Sequence, residues 1–111
     1  MVATLPEHID VLRDSPAEVS GLLKTLSHPN RLLIACQLLE GEQSVSEIER
    51  RAGVKQPILS RDLARLRDEG LVATRRQSKM IYYRISDERL VRLVTALCSA
   101  FAPETEKNDA S

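Results

Sequence analysis

SVSEIERRAGVKQPILSRDLARLRDEGLV, residues 44–72, holds two short helical patterns separated by a tight break. Ser44 followed three residues later by Glu47 is a capping box, in which hydroxyl and carboxylate each satisfy a backbone N–H that the first helical turn leaves without a partner. Val45, Ile48 and Ala52 then share one face, and Gly53 supplies the stop. After three residues the helical period resumes over 56–72, with Leu59, Leu63 and Leu66 as a stripe and Gly70 as its end. Two helices joined so closely have the proportions of a helix-turn-helix, whose second helix turns its early residues outward.

Downstream, LVATRRQSKMIYYRI (71–85) shifts to strand character: Ile81, Tyr83 and Ile85 alternate with Met80, Tyr82 and Arg84. The spacing predicts a hairpin with its tip at Arg75–Lys79, where three cations and two small polar residues suit a phosphate backbone. A last helix is expected after Ser86, with Asp87 and Glu88 in its first turn and Leu90, Val91, Val94, Leu97 and Phe101 as its stripe. Upstream, Val19, Leu22, Leu23 and Leu26 recur at helical spacing from Ala17. SHP at 27–29 closes that helix and opens another, running to about Glu40 and apolar around much of its circumference. Residues 1–16, with Pro6 and Pro16 and no sustained period, read as a loosely packed arm, and 102–111 as a polar tail, leaving a single domain over 17–101. One small domain cannot bury the stripes of both its first and last helices, so a homodimer through those helices is expected.

The 111 residues are 42% hydrophobic and 29% charged, a balance that supports one folded core and leaves little room for a second. The formal net charge of zero conceals an uneven distribution. Residues 1–49 carry three basic and eight acidic side chains, 50–84 ten and three, and 85–111 three and five. A basic middle between acidic ends fits a duplex-binding face on an otherwise soluble scaffold. The aromatic residues, Tyr82, Tyr83 and Phe101, are too few for a platform on which unpaired bases stack, so double-stranded DNA is the expected partner.

The order LLKTLSHPNRLLIACQLLEGEQSVSEI, QPILSRDLARLRDEGLV and a hairpin ending in IYYRI resembles ArsR/SmtB-type winged-helix transcriptional repressors over residues 20–101. The resemblance implies a mainly α fold with a β-hairpin wing, a winged helix-turn-helix. It also implies a dimer whose recognition helices enter successive major grooves about 34–36 Å apart, and hence a near-palindromic operator. Carried onto this chain, it makes Gln56, Ser60 and Arg61 the candidates for base-edge or nearby phosphate contact. Lys55, Arg65, Arg75, Arg76 and Lys79 become the phosphate partners. Relatives usually have serine at the position of Lys55 and a Gln-His pair where this chain has Arg61 and Asp62, so their operator sequence does not transfer.

Many family members respond to metals, and for this chain no metal and no cofactor is expected. EQSVSEI lacks the Cys-x-Cys of thiolate sensors, and the last helix lacks the Asp, His, His, Glu set of zinc sensors. His28, in the SHP turn, is expected to make a structural hydrogen bond, since one imidazole lacks the partners a zinc site needs. The remaining handle is Cys36 on the second helix and Cys98 on the last, which resembles the BigR/SqrR-like dithiol branch. That likeness implies that reactive sulfur species or an oxidant would bridge the two thiols and release the DNA. In that branch the second cysteine falls where this chain has Ala102. The displacement is one helical turn, about 6 Å along the axis, so a bridge is expected to need a helix shift or additional sulfur atoms.

Alternative readings are a repressor with structural cysteines and another inducer, a metalloid or small molecule, or a winged-helix protein-interaction module. The outward residues of the second helix of the helix-turn-helix, Gln56, Ser60, Arg61 and Arg65, are polar where a protein-binding face would be apolar. An enzyme is not expected, because the sequence has no glycine-rich phosphate loop and no histidine beside a plausible nucleophile. The start, MVATLPEHIDV, lacks a basic stretch followed by an apolar core, no apolar run is long enough for a membrane span, and the cysteines make no disulfide framework. A cytoplasmic protein with reduced thiols at rest is the expectation.

Overall fold

The computed structural model describes residues 7–103. Helix α1 (Glu7–Arg13) is followed by α2 (Pro16–Leu26), α3 (Pro29–Leu38), strand β1 (Gln43–Ser44), α4 (Val45–Ala52), α5 (Ile58–Asp68), β2 (Val72–Gln77), β3 (Met80–Ile85) and α6 (Glu88–Phe101). Proline opens both α2 and α3, where its missing N–H costs no helical bond. α6 begins at Asp87, whose carboxylate accepts from the Arg89 N–H, and ends before Ala102, extended ahead of Pro103. The sheet order is β1-β3-β2, all antiparallel. A helix pair followed by this hairpin is a winged helix.

The core draws on every helix from α2 to α6. Leu26, Ile34, Ala35 and Leu38 meet Ile48, Val54, Leu59, Leu63 and Leu66, and the set is closed by Leu71, Val72, Leu90 and Val94. The leucine stripe of α5 is thus fully buried, at 0–1% exposure, which turns the opposite face of that helix to solvent. Among the described residues no helix is long and apolar enough to cross a membrane.

Five details differ from the sequence expectation. The arm holds a helix, α1, and α2 starts at Pro16; residues 1–6 of the arm and 104–111 of the tail lie outside the described residues. Ile9, Val11 and Leu12 of α1 are exposed, and seven residues are too few to set a period that a sequence reading can detect. α3 ends at Leu38, because Leu39 and Glu40 donate to carbonyls three residues back and tighten the last turn. On α3, Ile34, Ala35 and Leu38 are buried, but Leu33 is 49% exposed within one chain. Pairing from Val72↔Ile85 to Gln77↔Met80 makes Ser78–Lys79 the hairpin turn, which places Arg75 and Arg76 in β2 and not at the tip. β1, two residues paired with Tyr82 and Tyr83, carried no strand signal because Ser44 reads first as a helix cap.

Candidate nucleic-acid interface and dithiol

Both halves of the capping box form at α4: the Glu47 N–H donates to Ser44 Oγ at 3.2 Å, and the Ser44 N–H donates to Glu47 Oε1 at 2.9 Å. That Ser44 N–H bond holds the Glu47 carboxyl below its ordinary value. Gly53, at φ 74°, ends α4 in the left-handed region, and the chain turns into α5.

Pro57 occupies the cap position of α5 without a side-chain cap, and Gln56 takes over that task. Gln56 Oε1 accepts from the Ser60 N–H at 3.0 Å and from the Ser60 hydroxyl at 2.7 Å, so these two sequence candidates are engaged with each other. Arg61 projects into solvent with 73% of its side chain exposed, its Nε 3.9 Å from Asp62 Oδ1. Arg65 is ion-paired to Glu69 one turn on, and Glu69 also accepts from the Thr25 hydroxyl of α2. Burial opposes ionisation of Glu69, yet the Thr25 and Arg65 hydrogen bonds hold its carboxyl below the ordinary value. Lys55, Arg76 and Lys79 are exposed and belong to no ion pair among the described residues.

Arg75 is held differently. Its guanidinium donates to both carboxylate oxygens of Glu42, at 2.7 and 3.1 Å, donates to Gln77 Oε1 at 2.6 Å, and lies 4.7 Å from the Tyr82 ring centre. The Arg75 hydrogen bond draws the Glu42 carboxyl down and raises the guanidinium in turn. The predicted set therefore divides. Lys55, Arg61, Arg76 and Lys79 are available to an incoming anion, whereas Arg65 and Arg75 must exchange a carboxylate for it.

Sequence reasoning missed Arg31 and Asp62. Asp62 stands on the recognition helix with only 4% of its side chain exposed and accepts from Arg31 Nε at 3.2 Å, while Arg31 Nη1 donates to the Thr25 carbonyl at 3.2 Å. The signal was present: Asp62 lies three residues from Leu59 and four from Leu66, on the buried face, where a carboxylate requires a partner. His28 departs from expectation in the other direction. It stands at the cap of α3 but its exposed ring makes no capping bond.

Cys36 of α3 and Cys98 of α6 are free thiols with Sγ atoms 3.4 Å apart, Cys36 partly buried and Cys98 exposed. α6 packs on α3 with the Cys98 turn level with Cys36, so a thiol offset by one helical turn from Ala102 still lies in contact with Cys36. Burial pushes the Cys36 thiol up, and the hydrogen bond and charge of Cys98 and the charge of Glu40 add to it.

Residues 28–74 match the family model described as "Bacterial regulatory protein, arsR family". The chain is 48% identical over 90 residues to the biofilm growth-associated repressor of Xylella fastidiosa (strain Temecula1 / ATCC 700964), covering 81% of this chain and 79% of the relative. It is also similar to the crystal structure of the transcriptional repressor BigR from Xylella fastidiosa, with a TM-score of 0.81 and 45% identity, covering 86% of this chain and 97% of the other. A solution structure from Mycobacterium bovis, described as a homodimeric winged helix-turn-helix DNA-binding domain, matches with a TM-score of 0.66 and 30% identity over 80% of this chain and 82% of its own.

Proposed function

Because this chain belongs to the arsR family of bacterial regulatory proteins, we propose that it is a cytoplasmic, homodimeric transcriptional repressor of the BigR type, released from a near-palindromic operator when Cys36 and Cys98 become bridged. It is a regulator and not an enzyme. The observation that carries the DNA-binding reading is the exposure of Lys55, Arg61, Arg76 and Lys79 on the turn before α5, on α5 itself and on the hairpin, while the leucine stripe of α5 is fully buried. In this reading Arg61 meets a base edge, and Gln56 and Ser60 give up their mutual hydrogen bond to do the same. Lys55, Arg65, Arg75, Arg76 and Lys79 meet phosphates. The homodimeric winged helix of the Mycobacterium bovis relative supports pairing, as do the apolar side chains of the first and last core helices left in solvent, Leu23 at 50% and Phe101 at 84%.

The 3.4 Å separation of the two sulfurs supports the release step. A thiolate attacks the sulfur of a disulfide, polysulfide or persulfidated partner and expels a thiolate or persulfide, and the second cysteine then displaces the remaining group to close the bridge. A bridge straps α3 to α6. α3 also carries Arg31, which grips Asp62 on α5, so a small displacement of α3 reaches the recognition helix. The test is operator binding by reduced, disulfide-treated and persulfide-treated protein beside Cys36→Ser and Cys98→Ser. Bridged protein should bind at least about tenfold more weakly, and both serine variants should stay bound under all three treatments. Release of DNA by protein whose thiols are unmodified and unlinked removes the dithiol switch and favours another inducer with structural cysteines.

A further inference from the structure

Cys36 and Cys98 open onto a cleft of about 300 Å³ between α3 and α6, lined otherwise by Leu32, Leu33, Val94, Leu97 and Phe101. The volume is at the small end of small-molecule sites. Among the described residues no charged side chain lines it. Both nucleophiles of the proposed switch share this one apolar space, and the wall that they share decides what can approach them. Displacement at sulfur requires the attacking, central and leaving sulfurs to lie in line. A donor that reacts on the side where the two thiols face each other therefore seats part of its chain among these side chains. Seating a charged carboxylate or ammonium there costs hydration that nothing in the lining restores. The elevated Cys36 thiol is another effect of the same surroundings.

Resting on the dithiol reading above, we infer that the cleft is a donor-selecting site, admitting uncharged, apolar organic polysulfides in preference to charged peptide or amino-acid disulfides and polysulfides. The exposed Cys98 takes the first step. Its thiolate attacks a terminal sulfur of a trisulfide RS–S–SR, forming Cys98–S–SR and expelling the persulfide anion RSS⁻. The Cys36 thiolate then attacks Sγ of Cys98, forming the bridge and expelling RS⁻. Two thiols lose two protons and two electrons, and the trisulfide takes up the electrons as one persulfide and one thiol.

The experiment measures thiol modification of the reduced full-length chain by neutral diallyl trisulfide, anionic glutathione trisulfide and cationic bis(2-aminoethyl) trisulfide. Each rate is divided by the rate of the same reagent with an unstructured cysteine peptide, which removes differences in leaving group. The neutral reagent should lead both charged ones by at least about tenfold. Leu33→Gln, at a half-exposed position that leaves the core intact, should reduce that lead below about threefold. Equal normalised rates overturn the inference. So does a lag confined to the anionic reagent, which would indicate local charge, or uniform slowness across all three, which would indicate a cleft covered by a second chain. Operator binding by the bridged product separates this inference from the repressor switch: bridged protein that still holds its operator refutes the switch and leaves donor selection standing.

Discussion

At Arg61 two demands meet, reach and orientation. Its side chain is 73% exposed, so replacing it with alanine removes no packing, while the nearby Asp62 carboxylate gives the guanidinium a preferred direction. Arg61→Ala should cost about 1–3 kcal/mol of operator binding and leave melting temperature and random-duplex binding nearly unchanged; equal loss on both duplexes in a competition titration would refute a base contact. Cys36 provides a second residue-level prediction. Burial and the neighbouring thiol disfavour its thiolate, so its alkylation rate should climb at higher pH than that of a free cysteine. In Cys98→Ser the profile should move part of the way back, because the neighbour's hydrogen bond and charge disappear while burial remains. A Cys36 profile matching an unstructured peptide in the native chain would contradict the geometry.

Between elements, two polar contacts deserve separate treatment because they do different work. The Ser44–Glu47 box fixes where α4 begins and therefore where the turn delivers α5. Ser44→Ala should destabilise the fold by about 0.5–2 kcal/mol in denaturant titration; the loss also falls on β1, where Ser44 pairs with Tyr82. The Arg31–Asp62 pair joins α3 to α5 in a place that is almost dry. Asp62→Asn keeps the shape but leaves a buried guanidinium without its counter-charge, which should cost about 3 kcal/mol of stability. The informative readout is the ratio of operator affinities between reduced and bridged protein. That ratio should shrink if the pair transmits the thiol state, whereas a purely structural pair would lower both affinities in parallel.

Across the whole molecule, a single copy leaves apolar area on both its first core helix and its last. Leu23 on α2 and Phe101 on α6 are the clearest instances, and α1 adds Ile9, Val11 and Leu12. Sedimentation equilibrium should give a dimer at micromolar concentration, and Leu23→Glu should shift it toward monomer with helical content preserved, since that side chain is half in solvent. Operator affinity should fall steeply with it, because two recognition helices bound as one unit gain from a shared approach that separate monomers lack. A monomeric native chain would leave the operator symmetry without a cause.

Periodicity and punctuation were enough for the helices from α2 to α6, the hairpin and the stripe Leu59, Leu63, Leu66, because each depends on neighbours within a few positions along the chain. The cap at Ser44 and the stop at Gly53 were legible for the same reason. What lay beyond reach was whatever depends on residues distant in sequence meeting in space. Whether Arg75 is free or held by Glu42, 33 positions away, whether Asp62 finds Arg31, and whether a thiol offset by one helical turn still touches Cys36 are questions of how α3, α5 and α6 lie across one another. Local sequence set the elements and the chemistry each carries; packing of the shared core set the distances between them, and with those the pairs Arg75–Glu42, Asp62–Arg31 and Cys36–Cys98.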